Sequence, residues 1–125
     1  MLLRTVVRAL LAGAVLCGVG CNTPQIPLPP PCFECLSSQV VDRTAGLVSL
    51  QGRSTPDMGG ATVQVLNRRT GHGVIAPAQA DGSFATRSFE AREGDSLVVD
   101  YTLGGEPSGP LCVLLAYDGP LRRCP

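Results

Sequence analysis

The stretch DSLVVDYTL, residues 95–103, decides the fold, because apolar and polar side chains alternate along it with a period of two. In an extended strand this period places four side chains on one face: Leu97, Val99, Tyr101 and Leu103. Two segments on its N-terminal side, GATVQVLN (60–67) and SFATRSFE (83–90), alternate in the same way. The sequence therefore predicts strands with one buried face.

Short turn sequences separate these segments, among them Asp81-Gly82, Gly94-Asp95 and Asp118-Gly119. Glycine supplies a positive φ angle and aspartate bonds to nearby backbone, so such pairs close tight turns. They recur at roughly the 8–12-residue spacing of an all-β sandwich or barrel. We predict an all-β fold, a single antiparallel β-sandwich of about seven strands, near 39–42, 46–52, 61–67, 73–79, 83–89, 96–103 and 110–117. Only the segment RSFEARE, 87–93, is compatible with a short helix instead.

Residues 1–20 have the layout of an export signal. Arg4 and Arg8 lie in an N-terminal region without acids, and the apolar run ALLAGAVLCGVG, 9–20, follows them. A run of about a dozen residues matches the core of a signal peptide and is shorter than the ~20 residues of a membrane-spanning helix. We therefore expect 1–20 to be a cleaved signal peptide, with a retained membrane anchor as the less favoured alternative.

The boundary after this run is marked by GVGC, residues 18–21. This tetrapeptide resembles the end of a bacterial lipoprotein signal, in which the cysteine is lipidated and becomes the first residue of the mature chain. The resemblance implies a lipid on Cys21 and a cell-envelope location, on the outer membrane or the cell surface. Gly18 departs from the leucine that the family prefers there, so a periplasmic or secreted protein is the alternative. Cys17 is a competing start, but Leu16 before it is a poor substitute for a small residue.

The segment NTPQIPLPPP, 22–31, contains five prolines in ten residues. Prolines remove backbone donors and favour extended polyproline conformations, so residues 21–31 are predicted to be a spacer. At ~3 Å per residue, this spacer holds the following domain about 30 Å from an acyl anchor. Residues 32–125 have a length typical of one small domain.

The charge pattern argues against several kinds of partner. All ten basic residues are arginines, and without Arg4 and Arg8 eight remain against ten acids, a net charge near −2. Proteins that bind nucleic acids or anionic lipids through basic patches carry an excess of basic residues instead. Tryptophan is absent and aromatic residues are scarce, so few side chains are available to stack on bases or sugars. We expect no nucleic-acid partner and a membrane contact through the lipid.

The order of the segments GLVSLQG, GATVQVLNRRTG, AQADGSFATRSF and EGDSLVVDYT, within 46–102, resembles bacterial immunoglobulin-like and carboxypeptidase-regulatory-like domains. The sharpest element is ADGSF, 80–84, in which Asp-Gly is expected to close a hairpin and Phe84 to enter the core. The resemblance implies a compact Ig-like or prealbumin-like sandwich that works as a stalk, spacer or adhesive module. It brings no catalytic residues.

Four cysteines remain once Cys17 and Cys21 are set aside: Cys32, Cys35, Cys112 and Cys124. An even number in an exported domain favours two disulfides, and four cysteines allow three pairings. We favour pairing of the first two cysteines with the last two, because a longer closed loop restricts the unfolded chain more. The alternative is a pair of local disulfides, Cys32–Cys35 and Cys112–Cys124.

Cys32 and Cys35 also form a C-x-x-C motif, which occurs in thiol oxidoreductases and in zinc sites. A redox motif has its first cysteine at a helix N-terminus, whereas prolines precede Cys32 here. Zinc needs a second close pair of ligands, and no histidine follows Cys35 for haem attachment. We expect neither a metal nor a cofactor.

Gly94-Asp95-Ser96-Leu97 spells the signature of GDSL-type esterases. That family has a much longer α/β chain and a histidine base far downstream of the serine, but His72 is the only histidine here and precedes Ser96. A serine without a base is a poor nucleophile, so we interpret the motif as a turn and a strand start. A calcium site stays open, because separated acids can converge in space; the candidates are Asp81, Asp95, Asp100 and Asp118.

These patterns favour a non-enzymatic, lipid-anchored cell-envelope protein whose sandwich is a structural, adhesive or protein-binding module. The expected partners are the membrane, through Cys21, and an envelope or extracellular protein or polysaccharide. The loops 53–60 and 104–110 are candidate contact surfaces, because loops on a rigid sandwich commonly carry recognition. The alternative function is that of a small exported thiol or hydrolytic enzyme.

Overall fold

A computed structural model describes residues 28–125. This part of the chain is all-β and consists of two antiparallel sheets that enclose one apolar core, which makes it a β-sandwich. The predicted fold class is confirmed. The predicted signal peptide, 1–20, and the cysteines Cys17 and Cys21 lie outside the described residues.

Ten strands, numbered in chain order, form the two sheets. The first sheet contains β1 (Leu36–Asp42), β2 (Leu47–Arg53), β5 (Ser83–Ala85) and β6 (Phe89–Glu90), with β2 between β1 and the two short strands. The second sheet has the order β10-β9-β7-β3-β4, and β8 pairs with one end of β7. Its strands are β3 (Thr62–Asn67), β4 (Gly73–Pro77), β7 (Ser96–Leu103), β8 (Glu106–Pro107), β9 (Leu111–Leu114) and β10 (Arg122–Arg123). Two 3₁₀ turns, Phe33–Cys35 and Pro56–Met58, precede β1 and β3.

The core follows the predicted period of two. β3 alternates exposed and buried residues along its whole length, and β7 buries Leu97, Val99 and Tyr101 on one face. Val48 and Leu50 of β2 are completely buried in the same apolar cluster. Each fully buried side chain of this size contributes about 1.5–3 kcal/mol relative to an exposed one, so this cluster holds the two sheets together.

All seven predicted strands are present, and the predicted strand 83–89 is divided into β5 and β6 by Thr86. The Thr86 N–H donates to the carbonyl of Leu50 at 2.8 Å, and the Leu50 N–H donates to Thr86 Oγ1 at 2.9 Å. A side chain therefore replaces a backbone carbonyl in the ladder at this point. β6 occupies part of the segment 87–93, so the short helix considered there does not form.

The turn at ADGSF is present, but it does not join neighbours of one sheet. Gly82 has a φ angle of 85°, and a Cβ there would collide with the carbonyl of Thr55. The flanking strands β4 and β5 belong to different sheets, so the turn carries the chain across the sandwich. The prediction of a hairpin at Asp81-Gly82 is therefore wrong, because the turn is a crossover between the sheets. Phe84 enters the core as predicted.

Candidate functional site

The four cysteines of the domain form two local disulfides, Cys32–Cys35 and Cys112–Cys124. The favoured pairing between the two ends of the domain is therefore wrong, although the participation of all four cysteines in disulfides is confirmed. The register of β9 and β10 determines the Cys112–Cys124 disulfide. The Cys124 N–H donates to the Cys112 carbonyl at 3.2 Å, which places the two side chains opposite each other. The 3₁₀ turn decides the first bridge, since its hydrogen bond from Cys35 N to the Cys32 carbonyl brings the two cysteines together.

The two ends of the domain nevertheless meet, through an arginine rather than through sulfur. Arg123 on β10 lies over the ring of Phe33, with its Cζ 4.6 Å from the ring centroid. The same guanidinium is 3.5 Å from Glu34 Oε1, in an exposed ion pair. Exposed contacts of this kind stabilise weakly, so the ends are adjacent without a strong link.

The end of the proline segment is fixed to the sandwich by three hydrogen bonds. The Leu28 N–H donates to the Pro107 carbonyl at 3.3 Å, and the Gly109 N–H donates to the Leu28 carbonyl at 3.0 Å. The Tyr101 hydroxyl donates to the Pro29 carbonyl at 2.5 Å. Burial raises the pKa of this phenol, so it remains protonated and can donate at neutral pH. The chain therefore enters the domain at a fixed position beside β8.

An open groove of about 760 Å³ lies between the proline segment and the loop after β2. Leu28, Pro30 and Leu103 supply apolar walls, and Arg53 and Asp57 add one charge of each sign. Both candidate contact loops lie near the proline segment. The loop 104–110 is hydrogen-bonded to Leu28, and the loop 53–60 borders the groove.

The serine of the esterase-like motif is part of a β-ladder. Ser96 pairs with Leu114 of β9, and its carbonyl accepts a hydrogen bond from the Arg68 N–H at 3.0 Å. His72 precedes β4, and β3 lies between β4 and β7. Neighbouring strands are about 4.7–4.9 Å apart, so β4 and β7 are separated by two such spacings. The imidazole of His72 therefore does not reach the hydroxyl of Ser96.

Asp95 of the same motif is a buried carboxylate with three donors. It accepts hydrogen bonds from Asn67 Nδ2 at 2.9 Å, from Arg69 Nε at 2.8 Å and from the Arg92 backbone N–H at 2.8 Å. Desolvation raises the pKa of Asp95, but these donors together outweigh it and hold the pKa below its ordinary value. The carboxylate joins the start of β7 to the end of β3, which is a structural role.

Sequence reasoning identified Asp95 as a turn residue and missed this network. One signal was available: the alternation of β3 places Asn67 on the inward face together with Val63 and Val65. A polar residue in an inward-facing series needs a buried partner. Within residues 28–125, no group of three or more histidine, cysteine or acidic side chains is placed to hold a metal ion. No helix in this range is long and apolar enough to cross a membrane.

No protein-family model matches this chain, and comparisons with the curated proteins and with the solved structures gave no match either.

Proposed function

We propose that this chain is an exported, lipid-anchored protein of the bacterial cell envelope, whose β-sandwich is a structural, adhesive or protein-binding module. Its lipid attachment residue is Cys21, and its other partner is an envelope or extracellular protein or polysaccharide. The observation that carries the proposal is the fixed entry of the proline segment. A tether that is bonded to the sandwich at Leu28 and Pro29 has a fixed point of attachment on the domain.

The two disulfides support an exported location. Disulfides persist in oxidising compartments and are rare in reducing ones. Both bridges involve an end of the domain, since one lies directly after the proline segment and the other joins β9 to Cys124, directly after the edge strand β10. They protect the places where a tethered domain frays first.

The residues that an enzyme would use have structural roles here. Cys32 and Cys35 are joined to each other, Ser96 lies in a ladder, and Asp95 neutralises Arg69. A thiol oxidoreductase has the first cysteine of its C-x-x-C motif at the N-terminus of a helix, whereas Cys32 precedes only a 3₁₀ turn of three residues. A serine hydrolase needs a base beside its nucleophile. This arrangement favours the non-enzymatic function over the enzymatic alternative.

Fractionation of bacteria that express the full chain tests the proposal. We expect the wild type in the membrane fraction with an acyl group on Cys21, the variant Cys21→Ala without an acyl group, and the control Cys17→Ala acylated like the wild type. Recovery of the wild type in the soluble fraction would favour an unlipidated exported protein. A wild type that stays in the membrane fraction at the size of the uncleaved chain, without an acyl group, would indicate an uncleaved anchor.

A further inference from the structure

The strand β4 forms an edge of the second sheet and leaves its own bonding groups free on one side. Hydrogen bonds from Asn67 N to the His72 carbonyl and from Ala78 N to the Ala61 carbonyl fix the alternation of the β3–β4 ladder. In an antiparallel ladder every second residue bonds the neighbouring strand. Val74 and Ala76 therefore bond to β3, whereas the N–H and C=O of Ile75 point outward from the sheet.

Gly73 and Pro77 share the outward orientation of Ile75. Gly73 offers a carbonyl and an N–H at this edge, and Pro77 offers a carbonyl only. These three residues are all exposed. The outer edge of β4 thus presents a short, regular series of donors and acceptors.

The edge of β4 also lacks the charges that protect other edges of the sandwich. Residues 70–80 contain no acidic or basic side chain apart from His72. The edge strand β1 ends in Asp42, and the opposite edge of the second sheet is formed by Arg122 and Arg123. Proteins use charges and proline to keep edge strands from pairing, and β4 has only Pro77 at its end.

A large apolar side chain lies in the middle of this uncharged edge. Ile75 is 63% exposed, more than Val41 at 55% and Leu66 at 44%, which are the other large apolar side chains left exposed in the described chain. Leu66 lies on the outer face of the neighbouring strand β3. Pairing at the β4 edge would extend this apolar surface and cover Ile75.

We propose that β4 pairs antiparallel with β4 of a second copy of this chain, about a two-fold axis beside Ile75. Ile75 of each copy then donates its N–H to the Ile75 carbonyl of the other. The Gly73 N–H of each copy donates to the Pro77 carbonyl of the other, whereas the Gly73 carbonyl receives no hydrogen bond from Pro77 and remains exposed to water at the end of the ladder. The two Ile75 side chains lie opposite each other on the outer face, where cross-strand apolar pairs stabilise the sheet.

A second copy fits this edge because both sides of the contact are identical and uncharged. The pairing brings no like charges together, as it would at β10, where Arg122 and Arg123 would oppose the same residues. An edge of five residues buries less surface than a stable dimer needs. Self-association is therefore weak in dilute solution and is promoted where copies are concentrated. This inference depends on β4 alone and stands apart from the proposed lipid anchor.

Cysteine cross-linking in the full chain tests the pairing. We expect Ile75→Cys to give a covalent dimer with a short bis-maleimide, in whichever fraction of the cell the protein is found. Val41→Cys, a comparably exposed site on β1, is the matched control and should give no more dimer than the unsubstituted chain, in which Cys17 and Cys21 set the background. Peptide mapping must recover both native disulfides, which shows that the variants are folded. Equal dimer yields from the two variants, or none from Ile75→Cys, would overturn the proposal.

Sedimentation of the purified full chain provides a second measurement without new cysteines. The wild type should show concentration-dependent self-association that Ile75→Lys weakens by at least about tenfold, because the new charges lie opposite each other. Val41→Lys should self-associate like the wild type. A wild type that is monomeric at every concentration, or a loss of association in both variants, would contradict pairing at β4.

Discussion

The substitution Asp95→Asn tests the buried network between β3 and β7. The Asp95 side chain is 6% exposed and accepts three hydrogen bonds. An amide has one oxygen in place of two, so its NH₂ group must face either Arg69 Nε or the pair formed by Asn67 Nδ2 and the Arg92 N–H. At least one charge-assisted hydrogen bond, worth about 1.5–3 kcal/mol, is lost, and a donor–donor contact is created.

We therefore expect Asp95→Asn to lower the free energy of unfolding by about 2–3 kcal/mol. In a domain of this size such a loss corresponds to a decrease in Tm of about 10–20 °C. Urea and thermal unfolding at pH 7 measure both quantities. The matched control is Asp100→Asn, an identical change on the outward face of β7, which should alter the unfolding free energy by less than about 0.5 kcal/mol.

The same pair of variants makes a pH prediction. Because the folded-state pKa of Asp95 lies below its unfolded value, near 3.8, its carboxylate stabilises the fold above that pH. This stabilisation is lost as the pH falls through the folded-state pKa. The difference between the wild type and Asp95→Asn should be constant near neutral pH and shrink below about pH 4. Equal stabilities of Asp95→Asn and Asp100→Asn at pH 7 would refute the role assigned to the network.

Three further outcomes follow from the same contacts. Thr86→Val should lower the free energy of unfolding in urea by about 1–3 kcal/mol, because it leaves the buried N–H of Leu50 in β2 without its acceptor. Thr86→Ser keeps the hydroxyl and should lower it less. Equal decreases in the two variants would contradict the hydrogen bond. Tyr101→Phe removes the hydrogen bond to Pro29, so the Leu28 amide should exchange hydrogen faster than in the wild type, and unchanged exchange would indicate that the proline segment is held by other contacts. Peptide mapping without reduction should recover the two local disulfides, and a peptide that links the two ends of the domain would show the described pairing to be wrong.

The strands β3, β4 and β7 were predictable because each has a buried face and a more exposed face. The period of two at Val63, Val65, Leu97 and Val99 follows from side-chain chemistry alone and needs no knowledge of the partner strand. The very short strands β6, β8 and β10 have no such pattern. They are strands only because β2, β7 and β9 provide bonding partners for them.

The disulfide pairing was not predictable from loop entropy. Closing a long loop between the ends of the domain would restrict the unfolded chain more, but the folded geometry determines which sulfurs meet. The register of β9 and β10 places Cys124 opposite Cys112. Loop length describes the unfolded state and contains no information about this register.

The polar network at Asp95 and the crossover at Asp81-Gly82 show the same limit. Local chemistry correctly predicts a turn at each aspartate. The buried partner of Asp95, Asn67, comes from β3, and the two strands beside Gly82 belong to different sheets. Such long-range relations depend on the assembled sandwich and do not appear in a local pattern.

Mass spectrometry of one tryptic peptide tests the central claim that an exported, lipid-anchored chain carries a locally cross-linked sandwich. Cleavage after Arg43 leaves residues 21–43, which contain Cys21 and both members of the Cys32–Cys35 disulfide. From the membrane fraction, without reduction, we expect this peptide to begin at Cys21, to carry an acyl modification there, and to be two hydrogens lighter than its reduced form. An unmodified peptide from a chain that still begins at Met1, or a peptide joined to the C-terminal cysteines, would contradict the account.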